Sequence, residues 1–424
     1  MLTTTVQGRT WNFSHAIGHV GPAGETFLWP YSVVTTDSDV IYVVNRGPDP
    51  KEGDGNRLSN PNFKRIGKWK LEDEFISDFA QDDVMWPVSL AVDEKGFLYC
   101  TDEIKNRVLK YTSEDEKVLE WGAEGSGEGQ FSKPAGIASD MRGHLYVVDA
   151  GNNRIQKFTD DGEFIHSWGE FGSGIGQLND PWGITVDSQG FVYVADWGNN
   201  RVQKFTGDGE WLQNFGESPI DTLRLNHPSD VAVDSEGDVY VADWGNKKVQ
   251  IFDSDGEILT SLYGDATELS RSALKFMEVN RDYYKAFKQA KDKSKLGDFM
   301  RPTAIGITRD DRIIICDVSR QRLQVYDKEK DYLEPEFNLR LSCLRVSIGI
   351  KNLIYLFHLS ISSLCLILDS LDTLKMFLLI KRQSPSIFPI VKIPSNVDIV
   401  EPFSSRREAL TRYPTFSSSL IISE

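Results

Sequence analysis

The chain has 424 residues, a formal charge of -16 and a pI near 5.0, and this acidity argues against a general polyanion binder, whose affinity is built from many basic contacts. The four cysteines are scattered, so they outline neither a disulfide framework nor a metal cluster. The N-terminal stretch MLTTTVQGRTWNFSHAIG lacks the charged-then-apolar form of a secretory leader, and a cytoplasmic location is expected from it.

From the N terminus, the first strand-like segment is FSHAIG (Phe13 to Gly18). It aligns with FIHSWG (Phe164 to Gly169), which closes a later unit, so it reads as a last strand with no unit before it. Repeating units then follow. Asp102, Asp149, Asp196 and Asp243 end the strands LYCTD, LYVVD, VYVAD and VYVAD at identical intervals of 47 residues. Asn45 and Asp317 extend the series at either end after insertions of 10 and 27 residues, giving six units. In every unit a proline stands 15 residues before this marker: Pro30, Pro87, Pro134, Pro181, Pro228 and Pro302.

Within the fourth unit, GITVD, FVYVAD, RVQKF and WLQNFG are apolar or alternating runs of five or six residues separated by the turn-forming SQG, WGNN and GDGE. A four-stranded unit of this size cannot bury its own faces. Repetition at a period in the forties predicts an all-β, six-bladed β-propeller with four-stranded antiparallel blades, spanning about residues 10 to 338. The sixth unit has three good strands, so Phe13 to Ile17 is expected to complete it and cover two open sheet edges.

Two insertions fall on the face built from second-to-third-strand loops and blade-to-blade connections. Residues 47 to 62 lengthen the blade-one loop. The segment from about 266 to 299, before blade six, shows helical spacing of Leu269, Ala273, Leu274, Met277, Tyr284, Phe287 and Ala290, with Arg271, Lys275, Arg281, Lys285, Lys288 and Lys291 on the other side. A core-facing stripe is the expected role, and a lid the functional alternative. Variable loops on a rigid scaffold make this the candidate binding face. From 339 to 424 the repeat stops, glycine almost vanishes and Leu, Ile and Ser dominate. This extension is expected to be poorly ordered or mistranslated, with membrane anchoring through Asn352 to Leu368 as the alternative.

VDSQGFVYVADWGNNRVQKFTGDGE (Val186 to Glu210) resembles an NHL repeat, and the resemblance extends over all six units and roughly four fifths of the chain. It implies a six-bladed propeller but selects no function, since related propellers serve as protein scaffolds, RNA readers, sensors and enzymes.

Six cations, Arg65, Arg107, Arg154, Arg201, Lys248 and Arg322, occupy one equivalent position in the six units. They are expected to pair with the marker acids, except Arg65, left less neutralised by Asn45; RNA binding would require the ring to be free of those acids. Residues that depart from the repeat carry more information. His227 and Asp230, with Trp182, Trp197 and Trp244, form the most site-like cluster, and together with Arg65 they are the candidate ligand-binding residues. No catalytic residue, metal or cofactor is assigned.

The expected function is a non-catalytic scaffold that binds a protein or small polar ligand on the loop-rich face. The alternative is a propeller enzyme resembling peptidylamidoglycolate lyase or the lactonases, with a metal at the channel mouth. Against it, only His227 holds the pre-proline position and only Asp230 is acidic at its inner-strand position.

Overall fold

The computed structural model of the protein describes residues 3–6, 8–21, 24–36, 39–47, 63–289 and 294–329. The C-terminal extension and, from residue 48, the long blade-one loop lie outside the described residues.

The described chain forms six antiparallel sheets in a ring. Blade one comprises β3 (Pro30–Thr35), β4 (Val40–Asn45), β5 (Arg65–Lys70) and β6 (Glu74–Phe79). Blade two comprises β7 (Pro87–Val92), β8 (Leu98–Asp102), β9 (Arg107–Tyr111) and β10 (Lys117–Trp121). Blade three is β11 (Pro134–Ser139), β12 (His144–Asp149), β13 (Arg154–Thr159) and β14 (Phe164–Trp168), and blade four is β15 (Pro181–Val186), β16 (Val192–Asp196), β17 (Arg201–Phe205) and β18 (Trp211–Phe215). Blade five is β19 (Pro228–Val233), β20 (Val239–Asp243), β21 (Lys248–Phe252) and β22 (Ile258–Leu262). Blade six joins β23 (Pro302–Ile307), β24 (Ile313–Asp317) and β25 (Arg322–Glu329) to β2 (Arg9–Ile17), and β1 (Thr3–Val6) adds a fifth strand beyond β2.

Every innermost strand starts at the repeated proline, where the missing N–H costs no ladder bond, and every second strand ends at the marker residue paired with that proline. The marker's fully buried side chain accepts from the backbone N–H 17 residues earlier. Examples are Leu28 N to Asn45 Oδ1 (3.0 Å), Ser132 N to Asp149 (2.7 Å) and Asn179 N to Asp196 (2.8 Å). The marker thus holds the incoming connection at the top of each blade, which explains its strict spacing from the proline.

The core lies between blades. Six clusters of buried side chains each bring together residues of adjacent blades, such as Tyr193, Ala195 and Val202 of blade four with Val231, Val239 and Val241 of blade five. Ring closure follows the expectation, since β2 pairs with β25 over Thr10 to Ile17. It is reinforced at the seam with blade five, where buried Lys328 contacts the carboxylates of Asp234 (2.5 Å), Glu236 (2.8 Å) and Asp238 (2.8 Å), while Trp11 Nε1 donates to Tyr240 (3.0 Å). Cys100 and Cys316 are free, buried thiols that burial pushes well above the ordinary range, consistent with core packing.

The blade-six insertion forms α1 (Arg271–Val279), α2 (Arg281–Gln289) and α3 (Ser294–Gly297). Ser270 caps α1 by accepting from Ala273 N. The helix docks at the seam between blades six and one: Ser270 Oγ donates to Gly18 O, and the Ser272 hydroxyl and amide donate to the Asp73 carboxylate (3.0 and 2.6 Å). The stripe expected to be core is only partly so. Ala273 is buried, but Leu274 and Tyr284 are 44% and 37% exposed. The cause is the break at Asn280, which splits one long amphipathic pattern into two short helices and leaves part of the stripe between them.

Candidate functional site

The mouth of the channel on the loop face is built from three sequence registers. Before each proline stand Trp29, Trp86, Lys133, Asp180, His227 and Arg301; after it stand Tyr31, Val88, Ala135, Trp182, Ser229 and Thr303. Immediately after each marker stand Arg46, Glu103, Ala150, Trp197, Trp244 and Val318.

The backbone of the first register is set by the preceding blade. Trp29, Lys133, Asp180 and His227 have φ between 50° and 58°, a region costly for residues with a bulky side chain. Each of these N–H groups donates to a side-chain carbonyl from the neighbouring blade: Gln321 (2.6 Å), Asn106, Asn153 and Asn200 (2.8 Å each). These acceptors all precede the repeated cation. Where that residue is Lys64 or Lys247, it has no acceptor to offer. The next pre-proline residue, Trp86 or Arg301, then donates its N–H to the marker of its own blade, Asp102 (3.0 Å) or Asp317 (3.1 Å), and is not among the positive-φ residues.

Both exceptions produce a cation over an aromatic ring. The Arg46 guanidinium lies between Tyr31 and Trp86, 4.4 and 4.5 Å from the ring centroids, and pairs with Glu103; Arg301 lies 5.2 Å from the Trp244 ring. A cavity of about 500 Å³ opens here, with walls including Trp29, Tyr31, Trp86 and Trp182 and polar edges from Arg46, Glu103 and Lys133. Burial holds the Tyr31 phenol above its ordinary value, so it stays a neutral hydroxyl. Arg46 is only 6% exposed, yet among the described residues its Nε–H donates to no acceptor. An unspent buried donor of this kind is costly unless something outside the described residues accepts from it.

The sequence candidates divide. Trp182 lines this cavity, Trp197 follows it at 6.4 Å between ring centroids, and His227 packs edge-on against Trp197 at 4.1 Å, so three of the six form one aromatic row. Trp244 belongs to the separate pair with Arg301. Asp230 is not paired with His227. Its Oδ2 accepts from Ile305 N (2.9 Å), stitching blade five to blade six inside the channel, whereas the His227 ring bonds Asn226 (2.6 Å) at the mouth. Three residues along an extended strand separate an inner-strand position from the rim, which is why the two part. Burial without a nearby cation pushes the Asp230 carboxyl up to about 7, and the channel beyond it forms a second cavity of about 600 Å³.

The expectation for Arg65 is corrected. The guanidinium is fully buried, pairs with Asp78 on β6 (2.9 Å) and donates to Thr26 O (2.6 Å), so it is neither underneutralised nor at the binding surface. The fourth strand of the blade supplies the acid that Asn45 lacks. The rest of the cation ring is structural. Arg154 and Arg201 bind Asp149 and Asp196 at 2.8 and 2.9 Å, and all six cations donate to carbonyls of the connection entering their own blade.

Sequence reasoning missed Arg46, Glu103 and Tyr31. The signal was present, since Arg46 and Glu103 share the register of Trp197 and Trp244, and Tyr31 shares that of Trp182. Among the described residues no three His, Cys, Asp or Glu side chains converge as metal ligands, and no helix is long and apolar enough to cross a membrane.

The fold and this mouth define a six-bladed β-propeller. Three of its repeats match the family model described as "NHL repeat", at residues 131–158, 178–205 and 225–252, and with the six-bladed ring they fit the NHL-repeat six-bladed propeller family. No curated protein matches the chain. A solved protein of unknown function from Bacteroides thetaiotaomicron VPI-5482 has the same fold, at 16% identity and TM-score 0.52 over 76% of each chain. Two further solved structures have TM-scores below 0.5. A virginiamycin B lyase from Staphylococcus aureus is 14% identical at TM-score 0.46, over 75% of this chain and 99% of that one; a nidogen/laminin complex gives 17% and 0.44, over 61% and 92%.

Proposed function

We propose that the protein is a non-catalytic binding scaffold that recognises a protein or small polar ligand at the loop-face mouth. The observation that carries this reading is Arg46, buried between Tyr31 and Trp86 with an unspent Nε–H at the edge of an aromatic cavity of about 500 Å³. A cavity of this size takes a side chain or a small molecule, and a few fixed polar groups among aromatic walls orient it. Arg46 and Lys133 are balanced by Glu103 and Glu124, which favours a neutral polar group with an acceptor over a strongly charged one.

The test is intrinsic tryptophan fluorescence of the full chain, titrated with a panel of neutral polar probes: monosaccharides, N-acetyl amino-acid amides and short peptides. Binding is expected to change the emission, and Arg46→Ala or Trp182→Ala to weaken it by about 1–3 kcal/mol without loss of fold. Saturable binding that survives both substitutions moves the site elsewhere. Chemical conversion of a probe, or stoichiometric zinc or calcium in the purified protein, would replace the scaffold with an enzyme.

A further inference from the structure

The helical hairpin at the ring seam carries a second interaction surface, independent of the mouth. Between α1 and α2 lies a groove of about 360 Å³ lined by Leu274, Met277, Glu278, Arg281, Tyr284 and Lys285. Among the described residues no propeller strand lines it. Its wall residues Leu274 and Tyr284 are 44% and 37% exposed, so the apolar side of the groove is open to solvent.

The hairpin's charge is opposite to that of the molecule. Residues 271–289 carry Arg271, Lys275, Arg281, Lys285 and Lys288 against Glu278 and Asp282, on a chain whose formal charge is -16. A net basic rim around an apolar cleft on an acidic protein attracts an acidic amphipathic segment and disfavours a basic one. The groove is also held in place. α1 is tied to blades six and one through Gly18 and Asp73, and the His19 ring packs on Phe276 at 5.2 Å.

We propose that the α1–α2 groove docks an acidic amphipathic segment of a partner protein, which inserts one apolar side chain between Leu274, Met277 and Tyr284 and sets its carboxylates against the surrounding Lys and Arg side chains. The concave shape favours a side-chain anchor over a lipid surface, on which an interfacial helix lays an outward apolar face.

The experiment uses the full chain and fluorescence anisotropy with a panel of labelled acidic amphipathic peptides, each carrying a Phe, Leu or Trp anchor. Binding by at least one peptide is expected, with loss of about tenfold or more on Met277→Asp and on the charge reversal Lys285→Glu, and a marked fall with added salt. Melting temperatures of both variants should match the parent, because both side chains line the groove and neither is among the buried core residues. Absence of binding across the panel below about 1 mM, or binding untouched by both substitutions, overturns the proposal. So would co-sedimentation with vesicles containing phosphatidylserine without peptide binding, or a concentration-dependent dimer abolished by Met277→Asp; these outcomes assign the groove to a membrane or to a second copy.

Discussion

Blades four and one are built to the same plan but use their polar groups differently. In blade four the marker Asp196 is saturated: it accepts from Asn179 N, Asn199 Nδ2, Gln203 Nε2 and Arg201 Nε, all within 3.1 Å, and Arg201 also reaches the carbonyls of Gly174 and Gln177. In blade one the marker is Asn45, its cation Arg65 turns outward to Asp78, and the next residue is Arg46, whose guanidinium enters the mouth. A repeat can lose its charged centre without losing the blade, provided an acid on another strand takes up the cation. Arg46, the residue that follows the altered marker, lines the cavity at the mouth.

The largest effect is expected where the regular network is broken. Arg201→Ala leaves the buried Asp196 carboxylate without its cation, and a loss of roughly 3–5 kcal/mol in urea denaturation is expected; a loss below about 1 kcal/mol would show that the amide and backbone donors suffice. Blade one offers the reciprocal test. Asp78→Asn strands the buried Arg65 and should cost about 2–3 kcal/mol. Adding Asn45→Asp should recover at least about 1 kcal/mol, because it restores the acid at the position used by blades three and four. Failure of that rescue would mean that the two blades differ in backbone placement and not only in charge.

Asp230 gives a pH-dependent prediction. Its folded pKa of about 7 lies above the unfolded value near 3.9, so the associated stability is present at low pH and is lost as the pH rises from about 4 to 7. Asp230→Asn keeps an acceptor for Ile305 N and carries no charge. It should leave the melting temperature unchanged near pH 4 and raise stability by on the order of 1–3 kcal/mol at pH 8. Equal effects at both pH values would contradict a buried, cation-free carboxyl. The smallest effect is expected from Asn200→Ala. It removes the acceptor of the left-handed His227 N–H and should cost about 1 kcal/mol in the same urea measurement, while Lys247→Ala at the equivalent position of blade five should cost no such bond.

Legibility followed locality. Strand ends, blade number and closure were readable because proline, marker and cation recur at spacings that the ladder reproduces pair for pair, as in Pro181 with Asp196 and Asp196 with Arg201. Trp182, Trp197 and His227 were found because they depart from their registers, and they do meet. Arg65 misled because neutralisation was judged within one hairpin, whereas its acid stands on β6, 13 residues farther on. Asp230 and His227 were grouped by proximity in sequence, although strand rise separates them into channel and rim.

By itself the sequence determined the repeat, the six blades, the strand order and the N-terminal closure, since each depends on hydrogen bonds and apolar alternation within or between consecutive segments. It also held, in the alternation of Asn or Gln with Lys before each repeated cation, the rule that decides which pre-proline residues turn left-handed. Only the tertiary structure decided that Arg46 stands between Tyr31 and Trp86 beside Glu103, that Asp78 takes Arg65, and that the apolar stripe of the insertion splits into an open groove. Those outcomes depend on which blades become neighbours and on how deeply each group is buried. Distances across a ring and the desolvation of a charge are properties of the closed molecule, and linear spacing does not encode them.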